Sequence, residues 1–343
     1  GIKVRLIRAG MRFAAGTTTH QVLVENSEIR NVHIGPLNGT TVNPEEKRKI
    51  LGDTFMEIAE EICLDMDIKP EDILLGQGTL RPDLIESASK LTSSKADAIK
   101  THHNDSELVR QLRDQGRVVE PLKDFHKDEV RQLGRKLGLP ATILERHPFP
   151  GPGLAIRILC TQEPYLDRDF TETTSIVKII TSYTQMSQKP HALLTKINNG
   201  TTAEEKQKLI EITNSKDHSI VGILLPIRTV GVQGDCRTYS YACALSTNSP
   251  PKWDSLLFLA KLIPRLCHNI NRVVYVFGDM VQSPVNDVTV TYLREPVIAV
   301  LREADHRANA VLRENNSMQK VSQMPLVMIP IHFDRDPAVV CPL

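Results

Sequence analysis

The sequence predicts an α/β layer with a mostly parallel sheet, followed by an α+β second domain. Three observations carry this expectation. Strand-like and helix-like segments alternate through the first part of the chain. The apolar run Ile73-Leu74-Leu75 breaks directly into Gly76-Gln77-Gly78, as a buried parallel strand does before a ligand loop. After residue 150, strands come in groups with helices between them. The Pro/Gly-dense stretch from His147 to Gly153 is the natural boundary.

Each element has a local reason. Ile2 to Ile7 alternates apolar and polar residues and reads as a strand. A helix begins after Asn43, with Asn43 as N-cap, Pro44 in the first turn and Glu46 at the capping-box position. Leu51, Phe55, Ile58 and Ile62 follow at helical spacing and predict its buried face. A second amphipathic helix carries Val130, Leu133 and Leu137, closed by Gly138 and Pro140. Further on, strands are expected at Val221–Leu225 and Tyr239–Ala244 around the glycine loop Gly231–Gly234. A helix then runs from Trp253 to about Leu266, a strand over Val273–Phe277, a helix over Val297–Arg313 and a last strand over Leu326–Ile331.

Composition bounds the function. The 343 residues hold 42 Lys+Arg against 41 Asp+Glu, a net charge of +1, with 41% hydrophobic and 24% charged residues. That describes about two globular domains and argues against binding nucleic acid through a bulk cationic field. Cys63, Cys160, Cys236, Cys243, Cys267 and Cys341 form no CxxC pair and read as reduced thiols. No apolar stretch approaches the roughly 18 residues of a membrane span. The expectation is a soluble, cytoplasmic protein (cytosol), with no membrane and no nucleic-acid partner.

Four segments could carry chemistry. In Gly76–Glu86, glycines let backbone N–H groups approach an anion, and Asp83 and Glu86 could hold Mg²⁺; the other reading is a turn with Asp83 capping a helix. In Lys95–Asn104, Lys100 with His102 and His103 suits phosphate oxygens and developing negative charge, or is a solvated loop. Adjacent histidines point to opposite faces of a strand, and no carboxylate sits at HExxH spacing, which weakens a metal reading. The 147–157 segment, with three prolines and two interleaved glycines, approaches a base or ribose closely or serves as a stiff hinge. Thr229–Arg237 is a glycine loop between strands or a plain hairpin. No GxGxxG, GxxxxGKS/T, GxSxG or catalytic-cysteine signature occurs.

Taken together, these segments resemble the glutamine-hydrolysing GMP synthetase family, in its long eukaryotic type. The matching motifs are GQGTLRPDLIE at 76–86, IKTHHN at 99–104, VEPLKDFHKDEV at 119–130, RHPFPGPGLAIR at 146–157, VGVQGDCRTYSY at 230–241, VNDVT at 285–289 and SQMP before PIHFDRDP. The resemblance implies a ligase. ATP adenylates the C2 carbonyl oxygen of XMP, releasing pyrophosphate, and ammonia derived from glutamine in an amidotransferase domain displaces AMP to give GMP.

The resemblance also implies a partial doubly wound parallel sheet of the adenine nucleotide alpha hydrolase type. It assigns residues 1–153 to the C-terminal part of an ATP pyrophosphatase domain and 154–343 to a truncated dimerisation domain, with a homodimer as the implied assembly. Asp83, Glu86, Lys100, His102 and His103 become the catalytic candidates, with ATP as substrate and Mg²⁺ as its companion ion. Arg48, Asp235 and Gln323 match XMP-contacting positions. The family's SGGVDS phosphate loop, its nucleophilic cysteine and its KPPGTTEWE-like end are absent from the chain, so no synthesis by these residues alone is expected. The alternative is a non-catalytic homologue that binds a nucleotide or a partner.

Overall fold

The computed structural model describes residues 4–24, 28–66, 74–82, 112–147, 151–188, 192–215, 218–233 and 236–334. Contacts gather the described residues into two compact units, one drawn from 1–160 with 291–329 and the other from 161–290 with 330–343. The architecture is mixed α/β, with a small parallel pair and a mixed sheet.

The first unit begins with helix α1 (Gly10–Ala15) and the antiparallel hairpin of β1 (Thr18–Val24) with β2 (Glu28–Ile34), in register from Thr18 opposite Ile34. Val4–Ile7, within the expected opening strand, lies outside any strand. Alternation alone supplies no pairing partner. Helix α2 (Pro44–Asp65) starts where its cap predicts: Asn43 Oδ1 accepts the Glu45 N–H at 2.9 Å, and Glu45 and Glu46 face the positive end of the helix dipole.

The buried face of α2 is the expected one only in part: Ile58 is buried and Leu51 packs against the core of this unit. Lys47, Ile50, Thr54 and Ile58 are buried, whereas Phe55 is 62% exposed. Two polar residues sit inside the true stripe and disguise it. Ile50 joins Leu37, Ala155, Ile158, Leu293 and Leu301 in the core of this unit, where a fully buried aliphatic side chain is worth about 1.5–3 kcal/mol.

Strands β3 (Leu75–Gly76) and β4 (Val118–Val119) pair in parallel. The Leu75 N–H donates to Arg117 O and the Gln77 N–H to Val119 O, each at 2.9 Å. Helix α3 (Lys127–Lys136) opens with Glu129 accepting the His126 N–H at 2.6 Å. It ends at Gly138, whose φ of +77° suits glycine. Helix α4 (Ala141–Leu144) follows Pro140, and Gly153–Ile156 forms a 3₁₀ turn. Helix α10 (Glu295–Glu314) returns to this unit. The expected last strand reduces to one parallel bridge, Ile158 with Met328.

The second unit is built on the long hairpin of β5 (Ile220–Gln233) and β6 (Cys236–Thr247), extended by β7 (Ile270–Tyr275) parallel to β6. Pro226, which has no N–H to give the ladder, falls where the β5 register shifts between Leu225 and Thr229. Helix α5 (Phe170–Thr181) lies close on β5: a Cβ at Gly222 would come within 2.7 Å of Val177 Cγ1. Helices α6 (Tyr183–Met186), α7 (Ala192–Asn199) and α8 (Ala203–Thr213) precede the hairpin. Helix α9 (Trp253–Leu266) adds Leu256, Leu259, Leu262 and Ile263 to the core around Tyr241 and Cys243.

Candidate functional site

The carboxyl ends of β3 and β4 bring three polar side chains together. Thr79, just after the Gly76-Gln77-Gly78 loop, donates its hydroxyl to Glu120 Oε1 at 2.6 Å. Arg113 grips the same carboxylate with Nη2 at 2.8 Å from Oε1 and Nε at 3.3 Å from Oε2. The Arg113 guanidinium holds the Glu120 carboxyl below its ordinary value of 4.5. Burial pushes the other way, and the Thr79 hydroxyl adds to the lowering. The Arg81 N–H then donates to Phe125 O at 3.1 Å. The loop that leads into the segment carrying Asp83 and Glu86 is thus fixed to β4 and to the residues after it. Ligands of open α/β sheets bind at this end of the strands.

Arg48 lies on the first turns of α2 and forms an ion pair with Glu45. It is mostly buried, so its guanidinium is oriented rather than swinging freely in solvent. The HPFPGPGLAIR segment ends in Arg157, which is 2% exposed. Arg157 Nη1 donates to Asp305 Oδ1 of α10 at 2.7 Å and to Leu326 O at 3.2 Å. His147 Nε2 lies 2.7 Å from Met318 O. Both ends of the Pro/Gly segment are therefore anchored to the return segment, a few residues from exposed Gln323.

Of the expected site residues, Arg48 and Gln323 are described, and no hydrogen bond or ion pair joins them. Asp83, Glu86, Lys100, His102, His103 and Asp235 lie outside the described residues. Among the described residues, no group of three or more His, Cys, Asp or Glu could hold a metal ion. Sequence reasoning passed over Thr79, Arg113 and Glu120. Glu120 stood inside the matched VEPLKDFHKDEV motif, but its partner Thr79 lies 41 residues away. Among the described residues no helix is long and apolar enough to cross a membrane.

No protein-family model matches the chain. Individual relatives do. The chain is 48% identical over 308 residues to GMP synthase (glutamine-hydrolyzing) of Dictyostelium discoideum, covering 85% of this chain and 42% of that protein. It is 45% identical over 318 residues to a probable GMP synthase (glutamine-hydrolyzing) of Caenorhabditis elegans, covering 86% and 43%. It is 36% identical over 290 residues to the corresponding probable enzyme of Leptospira interrogans, covering 84% and 41%. The chain spans about two fifths of the length of these relatives. With identity of this level running through most of its residues, the chain belongs to the family of glutamine-hydrolysing GMP synthases.

Proposed function

We propose that this chain contributes the adenylation and XMP-binding portion of a GMP synthase. The observation that carries the reading is the 48% identity over 308 residues to a GMP synthase. The reaction is the one the resemblance implies. A carbonyl oxygen leaves poorly, so ATP first converts the C2 oxygen of XMP into an AMP ester and releases pyrophosphate. Ammonia from glutamine then displaces AMP.

Within this proposal, residues 1–153 belong to an ATP pyrophosphatase domain of the doubly wound, adenine nucleotide alpha hydrolase type. Residues 154–343 belong to a domain that pairs subunits in a homodimer. Lys100 balances charge on the departing pyrophosphate, with His102 and His103 beside it in sequence. Arg48, Asp235 and Gln323 hold XMP. Mg²⁺ accompanies ATP, with Asp83 and Glu86 as its candidate ligands. The cytosol, where purine nucleotides are made, is the proposed location. The anchored loop after β3 supports the reading because it fixes the approach to the segment that carries these groups. A homologue that binds without catalysis is disfavoured by identity at 45% or more to two separate synthases.

The test is an exchange. The matched segment of the Dictyostelium relative is replaced by this chain, and pyrophosphate release from ATP is followed with ammonium as nitrogen donor. Release that depends on XMP is expected. A folded exchanged protein that releases none contradicts the proposal.

A further inference from the structure

Lys47 occupies a site where a lysine is costly to place. Its side chain is 1% exposed. Nζ lies 2.9 Å from Cys160 Sγ, 3.0 Å from Ile158 O and 3.4 Å from Ala155 O. Two carbonyl dipoles and a polarisable sulfur thus take the place of water around the nitrogen. The sulfur is the chemically unusual member of this shell: it is a nucleophile, and an amine is held against it. Cys160 is half-buried, so a small oxidant can reach it. Cys243 and Cys267 are buried, and burial pushes their thiols up to about 12 and about 11, which withholds their thiolates from reaction.

We propose that Lys47 and Cys160 form a covalent modification site, in which a peroxide drives closure of a reversible sulfenamide crosslink. In the first step the Cys160 sulfur attacks one peroxide oxygen and the O–O bond breaks. The thiol becomes a sulfenic acid, oxidised by two electrons, and the peroxide is reduced, leaving as water. In the second step the Lys47 ammonium first gives up one proton to solvent, and the freed nitrogen lone pair attacks that sulfur. The S–N bond forms, the S–O bond breaks, and hydroxide leaves as water with a proton from the nitrogen. Sulfenic acids condense with nitrogen in this way, and thiols reverse the bond. The crosslink ties α2, one residue from Arg48, to the stretch that follows the 3₁₀ turn, across 113 residues of chain.

The experiment treats the 343-residue chain with hydrogen peroxide, blocks the remaining thiols, digests the protein and analyses the peptides by mass spectrometry. The expected product is one joined pair of peptides containing Lys47 and Cys160, lighter than their sum by two hydrogens and separated again by dithiothreitol. On a denaturing gel without reductant the oxidised chain should migrate faster, because a long internal loop is closed. Lys47→Arg keeps a cation but removes the amine nucleophile, so oxidation there should stop at a sulfenic acid that dimedone labels. Cys160→Ser should give no joined pair. If Lys47→Arg does not fold, the unaltered chain still decides: dimedone present during oxidation should label Cys160 and suppress the joined pair together. Oxidised Cys160 with no joined peptide overturns the proposal. So does a Cys160 that stays reduced at peroxide levels that oxidise Cys63, which is also half-buried.

Discussion

Thr79 donates its hydroxyl to Glu120 at 2.6 Å, tying the loop after β3 to the end of β4 across 41 residues of chain. Arg113 completes the group, so the loop that leads into Asp83 is held by a charged anchor rather than by backbone alone. Glu120→Gln keeps the shape and removes the charge. It is expected to cost about 1.5–3 kcal/mol, the range for hydrogen bonds to charged groups. The sign with pH follows from the lowered carboxyl. Its contribution is full above the ordinary value of 4.5 and is lost as pH falls through the lower folded value. Acid unfolding followed by circular dichroism should therefore show a steeper loss of stability in the unaltered chain than in Glu120→Gln. Equal slopes would remove the anchor.

Asp305 is a charged partner of Arg157, whose side chain is nearly sealed from water. Asp305→Ala takes one carboxylate away from a buried guanidinium and should destabilise the first unit by more than about 1 kcal/mol, the most that a surface pair gives. Denaturant titration of the two chains measures the difference. A loss under about 1 kcal/mol would mean that the pair behaves as a surface pair does.

His218 belongs to the second unit, where it contacts Ser249 and is buried. Burial, reinforced by the positive charge of Lys252, holds its imidazole below the ordinary 6.5. The unfolded chain then binds more protons than the folded one, and stability falls as pH drops below 6.5. His218→Gln should flatten that dependence. Thermal melts across this range that coincide in shape for both proteins would contradict it.

Much of the fold was legible because its signals are short-range. The Asn43 cap, the Gly138 stop and the span of α9 each depend on a few neighbouring residues. The buried face of α2 was read only in part, at Leu51 and Ile58, because Lys47 and Thr54 share it, and the burial of Lys47 depends on partners more than a hundred residues away. Val4–Ile7 had the alternation of a strand, but pairing is a tertiary property. The same reason hid β4, whose two residues form a strand only through Leu75 and Gly76. The Thr79–Glu120–Arg113 group was invisible for want of any local spacing rule. Motif likeness reached further than periodicity, picking out the family and the segments that border this group.

Arg48 is one of the two described residues, with Gln323, on which XMP recognition is proposed to depend. In the exchanged protein, Arg48→Ala should raise the KM for XMP by about 10–100-fold, the effect of losing one charge-assisted contact, with a smaller change in kcat. A KM that stays constant would take Arg48 out of the substrate site.

The most direct measurement is XMP-dependent pyrophosphate release by the exchanged protein, with Lys100 present and with Lys100→Ala. The account predicts release only when XMP is added, and a fall of about 10²–10³ on substitution, the usual loss when one charge-stabilising donor is removed. Release that ignores XMP, or a rate unchanged by Lys100→Ala, would contradict it.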